Sequence, residues 1–469
     1  MGKLGRFWPL WAALLLAVTM IAAGWPGLVE YDSVEQYRQA LTSQYDDWHP
    51  PVMARLWSLL HVLGGGAAPM MVLQIALYWL GLGLVAGALA RTDRSRAAAL
   101  VLAIGALPGL AVWQWAVLKD IQMVAAILAA VGIVAWWRLR GESVPLAAVA
   151  VAIVLLGYAT LVRANAVFAT IPLAVMLLPR RGRPARLLLV LAGTAAVVAL
   201  TPLIDADLLG AAPSDVRTTE PLFDLAAIAV RTGDADATGI DSAGIAALGR
   251  DRCVKTYFWD TLGDSPCADA IEDLASRPTA AMYLQLGHAA IRHPVPYAEH
   301  RLAHFNLTQR WIVGRGLMNG SPPSRSQPNS QGLGDPGPVA SWWLDTTRPL
   351  ADTPLGWPIV WLALATAALI EALRRAASPL RDVALALLIS SLALEWSFVA
   401  ISIAADLRYH LWPMIAAALG AILLMAEARP PRRMLVASAL ALSLIIASGL
   451  AARVILPPAP SGYAEMLAS

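Results

Sequence analysis

Long apolar runs parted by short arginine-rich junctions recur along almost the whole chain, and nothing else in it restricts the fold as much. A helix needs roughly 20 apolar residues to cross a hydrocarbon core of about 30 Å. Runs near 7–24, 69–90, 97–113, 120–137, 144–162, 164–178, 187–203, 357–373, 382–403, 409–427 and 434–453 predict about eleven spans. The stretch 52–63 (VMARLWSLLHVL) is too short to cross and reads as a re-entrant or interfacial helix. Composition agrees, with 58% of the 469 residues hydrophobic and 14% charged, where soluble domains carry about 45–50% and about 25%. A large soluble enzyme, a disordered chain, a collagen-like fibre and a disulfide miniprotein are excluded. The net charge of +3 is spread over the junctions rather than gathered in a patch, so no nucleic-acid partner is expected.

Orientation follows from which junctions hold the basic residues. Lys3/Arg6, Arg91/Arg94/Arg96, Arg138/Arg140, Arg180/Arg181/Arg183/Arg186, Arg374/Arg375/Arg381 and Arg429/Arg432/Arg433 fall at every second one. This predicts a multi-pass protein of the cell (plasma or inner) membrane with a cytoplasmic N-terminus. The first run is then a signal anchor, and residues 25–68, 204–356 and the C-terminus lie outside. The expected architecture is all-α. Residues 1–203 form a transmembrane module whose first external loop (25–68) bears an amphipathic helix. Residues 204–356 form one large external loop domain, and 357–469 hold the last transmembrane helices. Within 204–356 the stretches 267–290 and 294–313 read as helices, and the Gly/Pro/Ser-rich run 314–341 reads as a mobile loop. Both cysteines, Cys253 and Cys267, lie in this outer region, where an oxidising compartment favours a disulfide over two free thiols.

The first external loop opens Glu30-Tyr31-Asp32-Ser33-Val34-Glu35-Gln36 and closes Asp46-Asp47-Trp48-His49-Pro50-Pro51. At about 100° per residue, Val34, Tyr37, Leu41 and Tyr45 share one helical face, and Asp32, Gln36, Gln39 and Ser43 the opposite one. That pattern predicts a helix in the outer interface, apolar face down and polar face toward a cavity. Asp32 also reads as a helix cap, since Asp-x-x-Glu resembles a capping box. Asp46, Asp47 and His49 also read as solvated turn residues before the prolines. The theme recurs at other outer junctions. Lys119-Asp120 and Arg163-x-Asn165 each open a span, Glu395 lies within one near its outer end, and Asp406-Leu407-Arg408-Tyr409-His410 opens another. Snorkelling accounts for a single Arg or Lys, but not for acids, bases and amides gathered on one side. An ionisable group in a span is costly and faces a cavity or a partner. The external side is therefore the working face, with Gln36, Asp47, His49, Asp120, Asn165, Glu395, Tyr409 and His410 as candidate substrate-binding residues. His300 and His304 have a metal-ligand spacing, but without a third ligand a surface helix is the favoured reading and no metal site is assigned. The eighteen tryptophans, against six phenylalanines, suit an interfacial belt. No P-loop, GxSxG or HExxH is present.

The order of these elements resembles the GT-C superfamily of polytopic glycosyltransferases, which includes the protein mannosyltransferases and the aminoarabinose transferases. A first span is followed by an acidic loop, His49-Pro50-Pro51, Lys119-Asp120, Val162-Arg163-Ala164-Asn165 and a large external segment. The resemblance covers 1–203 and beyond that rests on Asp406 to His410. It implies a sugar taken from a polyprenyl-phosphate-type donor and passed, with inversion, to an envelope glycan, lipid or protein. It implies Asp32 as the general base, with Glu30 as the alternative, because the family's two adjacent acids are separated here by Tyr31. It implies Lys119, Arg163 and Arg408 as ligands of the lipid phosphate. No cofactor beyond the donor substrate is implied, and no divalent metal is indicated. A transporter or flippase of a lipid-linked sugar is the competing reading, although no internal repeat is evident. A non-catalytic envelope assembly factor is the third.

Overall fold

The computed structural model describes residues 7–178 and 182–468; Lys3, Arg6, Arg180 and Arg181 of the basic junctions lie outside the described residues. All eleven apolar runs are helical, and the count of eleven spans is not confirmed. Among the described residues six helices are long and apolar enough to cross a membrane: Ala68–Arg91, Lys119–Arg138, Arg183–Leu208, Pro379–Ile401, Leu407–Glu427 and Arg432–Ile455. A seventh run is broken, Ser95–Gly105 meeting Pro108–Trp115 at 55°. Pro108 lacks the N–H that would continue the ladder, and Leu107 before it turns to ψ 121°. Trp8–Gly24, Leu146–Val162 and Pro358–Arg374 have 17 residues each, and Ala164–Leu177 is shorter still. Seventeen residues rise about 26 Å, less than the hydrocarbon core. The chain is a helical, multi-pass membrane protein.

Two compact units divide it. The first comprises Met1–Pro213, Gly320–Glu395 and Arg408–Ile446. Its centre is the pair Ala68–Arg91 and Lys119–Arg138, which cross where Gly81 faces Leu128 and Gly132. A Cβ on Gly81 would lie 2.3 Å from the Leu128 carbonyl, so the crossing depends on glycine. Trp8–Gly24 and Ser95–Gly105 pack on the first of the pair and Leu146–Val162 on the second.

The first-loop helix forms at Tyr31–Thr42, but its buried stripe is not the expected one. Ser33, Gln36, Tyr37 and Ala40 are buried while Leu41 is exposed. Polar anchors rotate the helix. Ser33 Oγ donates to Val117 O at 2.5 Å, and the Tyr37 hydroxyl accepts from Gly66 N at 2.9 Å beside the Trp57 ring. The run 314–341 is irregular up to Gly337, where the Pro338–Thr347 helix follows. From Gly320 onward it is tethered rather than loose. Val29 N donates to Ser326 Oγ, Gln327 N to Val29 O at 2.8 Å, and Gly337 N to Trp25 O at 3.0 Å.

The second unit comprises Ser214–Asn319, Trp396–Leu407 and Ala447–Ser469. Thr219–Thr232 runs through its core, wrapped by Ser242–Arg250, Thr279–Arg292 and Pro294–Thr308. Cys253 and Cys267 are disulfide-bonded and buried in its core. His300 and His304 are fully buried rather than on a surface. His300 Nε2 lies 3.2 Å from Asp224 Oδ1, and Arg301 Nη2 donates to Asp224 Oδ2 at 2.5 Å. His304 lies between Thr256 O and Ser402 Oγ, at 2.7 and 3.0 Å. The two histidines thus belong to a buried polar cluster of the core.

Candidate active site

Glu30 and Asp32 are brought to the site by backbone pairing as well as by their helix. Leu28 N donates to Trp115 O and Val117 N to Leu28 O, both at 2.8 Å. The strand-like segment before Glu30 therefore runs beside the segment that leads into Lys119. A chain of buried amides holds that second segment from below. Gln74 Nε2 donates to Gln114 O and Ala116 O, and Gln122 Nε2 to Gln74 Oε1 at 2.9 Å. These glutamines escaped the sequence reading, although an amide inside an apolar run is the signal that marks them.

Glu30 and Ser33 share the helix cap, Glu30 N donating to Ser33 Oγ at 3.2 Å. Asp32 is thereby free of the capping role and turns its carboxylate to three bases. Arg408 Nη2 donates to Oδ2 at 3.2 Å, Lys119 Nζ lies 3.5 Å from Oδ2, and His49 Nε2 lies 3.9 Å from Oδ1. Lys119 Nζ also donates to His49 Nδ1 at 2.8 Å. Arg408 Nη1 donates to Glu30 Oε2 at 3.3 Å, and its Nε lies 3.6 Å from Asp120 Oδ2. Arg163 Nη1 pairs with Asp120 Oδ1 at 2.5 Å, its Nε donates to Asn165 Oδ1, and its guanidinium lies 4.0 Å over the Tyr409 ring. Acids and cations from five stretches of chain thus form one cluster in the first unit.

Electrostatics in the cluster favour an ionised Asp32. Burial alone would raise its pKa, but the charges of Lys119, Arg408 and Arg163 hold it well below the usual carboxylate range. Burial first, and then the neighbouring Lys119 charge, push the His49 pKa down to about 3 against the pull of Asp32. The imidazole is therefore neutral near pH 7.

Other candidate residues stand outside this set. Glu395 and His410 form a separate buried pair, His410 Nδ1 lying 2.9 Å from Glu395 Oε2. Gln36 is fully buried one turn beyond Asp32, both amide atoms without a partner. Asp47 is placed by its backbone, its N–H donating to Ala212 O at 3.1 Å. Asp406 accepts from Asn319 Nδ2 at 2.6 Å in the second unit. Among the described residues no group of three His, Cys, Asp or Glu side chains converges as a metal site.

No protein-family model matches the chain, and no curated protein does. Two solved structures are similar to it in fold. One is the archaeal oligosaccharyltransferase AglB from Archaeoglobus fulgidus in complex with an inhibitory peptide and a dolichol-phosphate, at TM-score 0.40 and 14% identity, covering 98% of this chain and 57% of that one. The other is the Archaeoglobus fulgidus oligosaccharyltransferase in its apo form, at TM-score 0.40 and 15% identity, covering 97% of this chain and 56% of that one. The chain spans a little over half the length of these structures.

Proposed function

We propose that the cluster is the active site of a membrane glycosyltransferase, which moves a sugar from a polyprenyl-phosphate-type carrier to a cell-envelope acceptor at the external face. The observation that carries this reading is one carboxylate, Asp32, held among Lys119, Arg408 and His49. An acceptor hydroxyl is a poor nucleophile until its proton is drawn off, and Asp32 takes that proton. The acceptor oxygen bonds to the anomeric carbon as the bond from that carbon to the carrier phosphate breaks. The electron pair leaves with the phosphate, where Lys119, Arg163 and Arg408 stabilise it. A single displacement inverts the anomeric centre. Lys119 pairs with Asp32, Arg408 with Asp32 and Glu30, and Arg163 with Asp120. An arriving phosphate draws Lys119 and Arg408 to itself and leaves Asp32 a stronger base.

The test is release of free polyprenyl phosphate by the protein in nanodiscs, given a panel of polyprenyl-phosphate sugars and an envelope acceptor. Asp32→Asn is expected to lose about 10²–10⁴ of the rate while remaining folded, with a melting temperature lowered by the loss of its ion pairs. Release that survives in Asp32→Asn but falls in Glu30→Gln moves the base to Glu30. A flippase is the second reading, favoured by the buried ionisable pair Glu395–His410. Donor crossing the bilayer without any sugar transfer would establish it and overturn the transferase.

A further inference from the structure

The second unit was expected to face water, yet one side of it is apolar and uncovered. Thr279–Arg292 and Pro294–Thr308 both pack on Thr219–Thr232, burying Met282, Leu286 and Ala289 from the first and His300, His304 and Thr308 from the second. Their outward residues include Leu284 at 77% exposure, Ile291 at 83%, Val295 at 63% and Leu302 at 59%. Ala280, Gly287, Ala298 and Ala303 fill the spaces between. The polar groups on that side mostly turn back to the unit's own acids. The Tyr283 hydroxyl donates to Glu220 Oε2 at 3.2 Å, and Arg292 Nε lies 2.9 Å from Asp234. His288 and Glu299 are the remaining titratable groups that are exposed there. Large apolar side chains left exposed seven residues apart on each of two helices of a folded unit mark a partner or a membrane.

What covers it is indicated by the helix ends beside it. The unit includes the last residues of two membrane-crossing helices, Pro379–Ile401 and Arg432–Ile455. Phe305, three residues after Leu302, stacks on Trp396 of the first at 5.8 Å and 16°, and Trp396 is itself 57% exposed. Trp311 Nε1 donates to Ser448 Oγ of the second at 2.9 Å. A tryptophan near the end of a crossing helix, as Trp396 is, sits at head-group depth, so the helix pair that packs on it through Phe305 lies at that depth as well. We propose that the face carrying Leu284, Ile291, Val295 and Leu302 is seated in the lipid surface of that leaflet as an interfacial helical hairpin. This inference rests on the membrane-crossing helices and is independent of the transferase reading.

The variants Leu284→Cys, Ile291→Cys, Val295→Cys and Leu302→Cys, each carrying a nitroxide, test it in liposomes with the Cys253–Cys267 disulfide kept oxidised. Collision with oxygen and with a water-soluble nickel chelate is read at each site. Leu444→Cys on the Arg432–Ile455 helix, 71% exposed, gives the lipid reference, and exposed Ser276→Cys the water reference. Labels at 284, 291, 295 and 302 are expected to group with 444, rich in oxygen collisions and several-fold poorer in nickel collisions than 276. Grouping with 276 overturns the proposal. So does exclusion of both reagents, which would mean that a protein partner or a second copy covers the face. The four sites are read separately, so a variant that does not fold leaves the others to decide.

Discussion

Lys119 Nζ donates to His49 Nδ1, which leaves the proton of a neutral imidazole on Nε2, toward Asp32 Oδ1. His49 titrates near 3 when folded, against 6.5 for an ordinary histidine. Between these values the unfolded chain binds the proton and the native one does not, and stability rises with pH wherever that holds. His49's contribution is therefore complete above about pH 6.5 and is lost as the pH falls toward 3. His49→Asn is expected to flatten the melting-temperature curve across that window; an unchanged slope would place the titration elsewhere. Asp32 has a depressed pKa, so its contribution is present above about 3.9 and declines as the pH falls below it. On the proposed reading, a phosphate that takes its cations returns basicity to the Asp32 carboxyl. The acid limb of kcat is thus expected at a higher pH than that of kcat/KM, since the first reports the bound enzyme and the second the free one. Coincident limbs in the two profiles would contradict cation exchange between Asp32 and the donor.

The helices place these groups through close backbone approach. At the Gly81–Gly132 crossing a new Cβ meets backbone atoms, which cannot swing aside as a side-chain tip does. Gly81→Ala is expected to cost about 1–3 kcal/mol, as overpacking does, and to lower turnover too, because Lys119 begins one of the crossing helices. Wild-type melting and wild-type turnover together would show that the crossing tolerates separation. Ser33 tests the other anchor. Its hydroxyl ties the Tyr31–Thr42 helix to Val117, so Ser33→Ala should cost about 0.5–1.5 kcal/mol by the loss of one hydrogen bond.

For the whole chain, the alternation of basic junctions makes a prediction that no single element can. A reporter fused after Arg181 is expected to read cytoplasmic and one at Ser330 external. Both on the same side would remove the sidedness on which an external active site depends. The Cys253–Cys267 loop, 14 residues in separation, should contribute about 3 kcal/mol to the second unit in the chain-entropy view. The double Cys→Ser variant is expected to show that loss in thermal unfolding.

The helices were legible because their information is local. Apolar runs report burial in lipid, and Pro108 marks a break within a few residues of itself, although the run containing it still reads as one span until the break is seen. The candidate residues were legible as a set because polar groups in apolar surroundings are rare. Their use was not legible. Asp-x-x-Glu leaves a cap and a site residue equally open for Asp32, and only the folded chain gives the cap to Glu30 and Ser33 and turns Asp32 to Arg408, 376 residues away. Periodicity assigned two faces to the first-loop helix, and bonds from Ser33 and Tyr37 to distant backbone rotated it between them. The amino-acid sequence by itself determined a helical membrane protein and its unusual polar residues, since both follow from transfer between water and lipid. The tertiary structure decided which of those residues meet, since an ion pair depends on distance in space, and chain separation carries none of that distance.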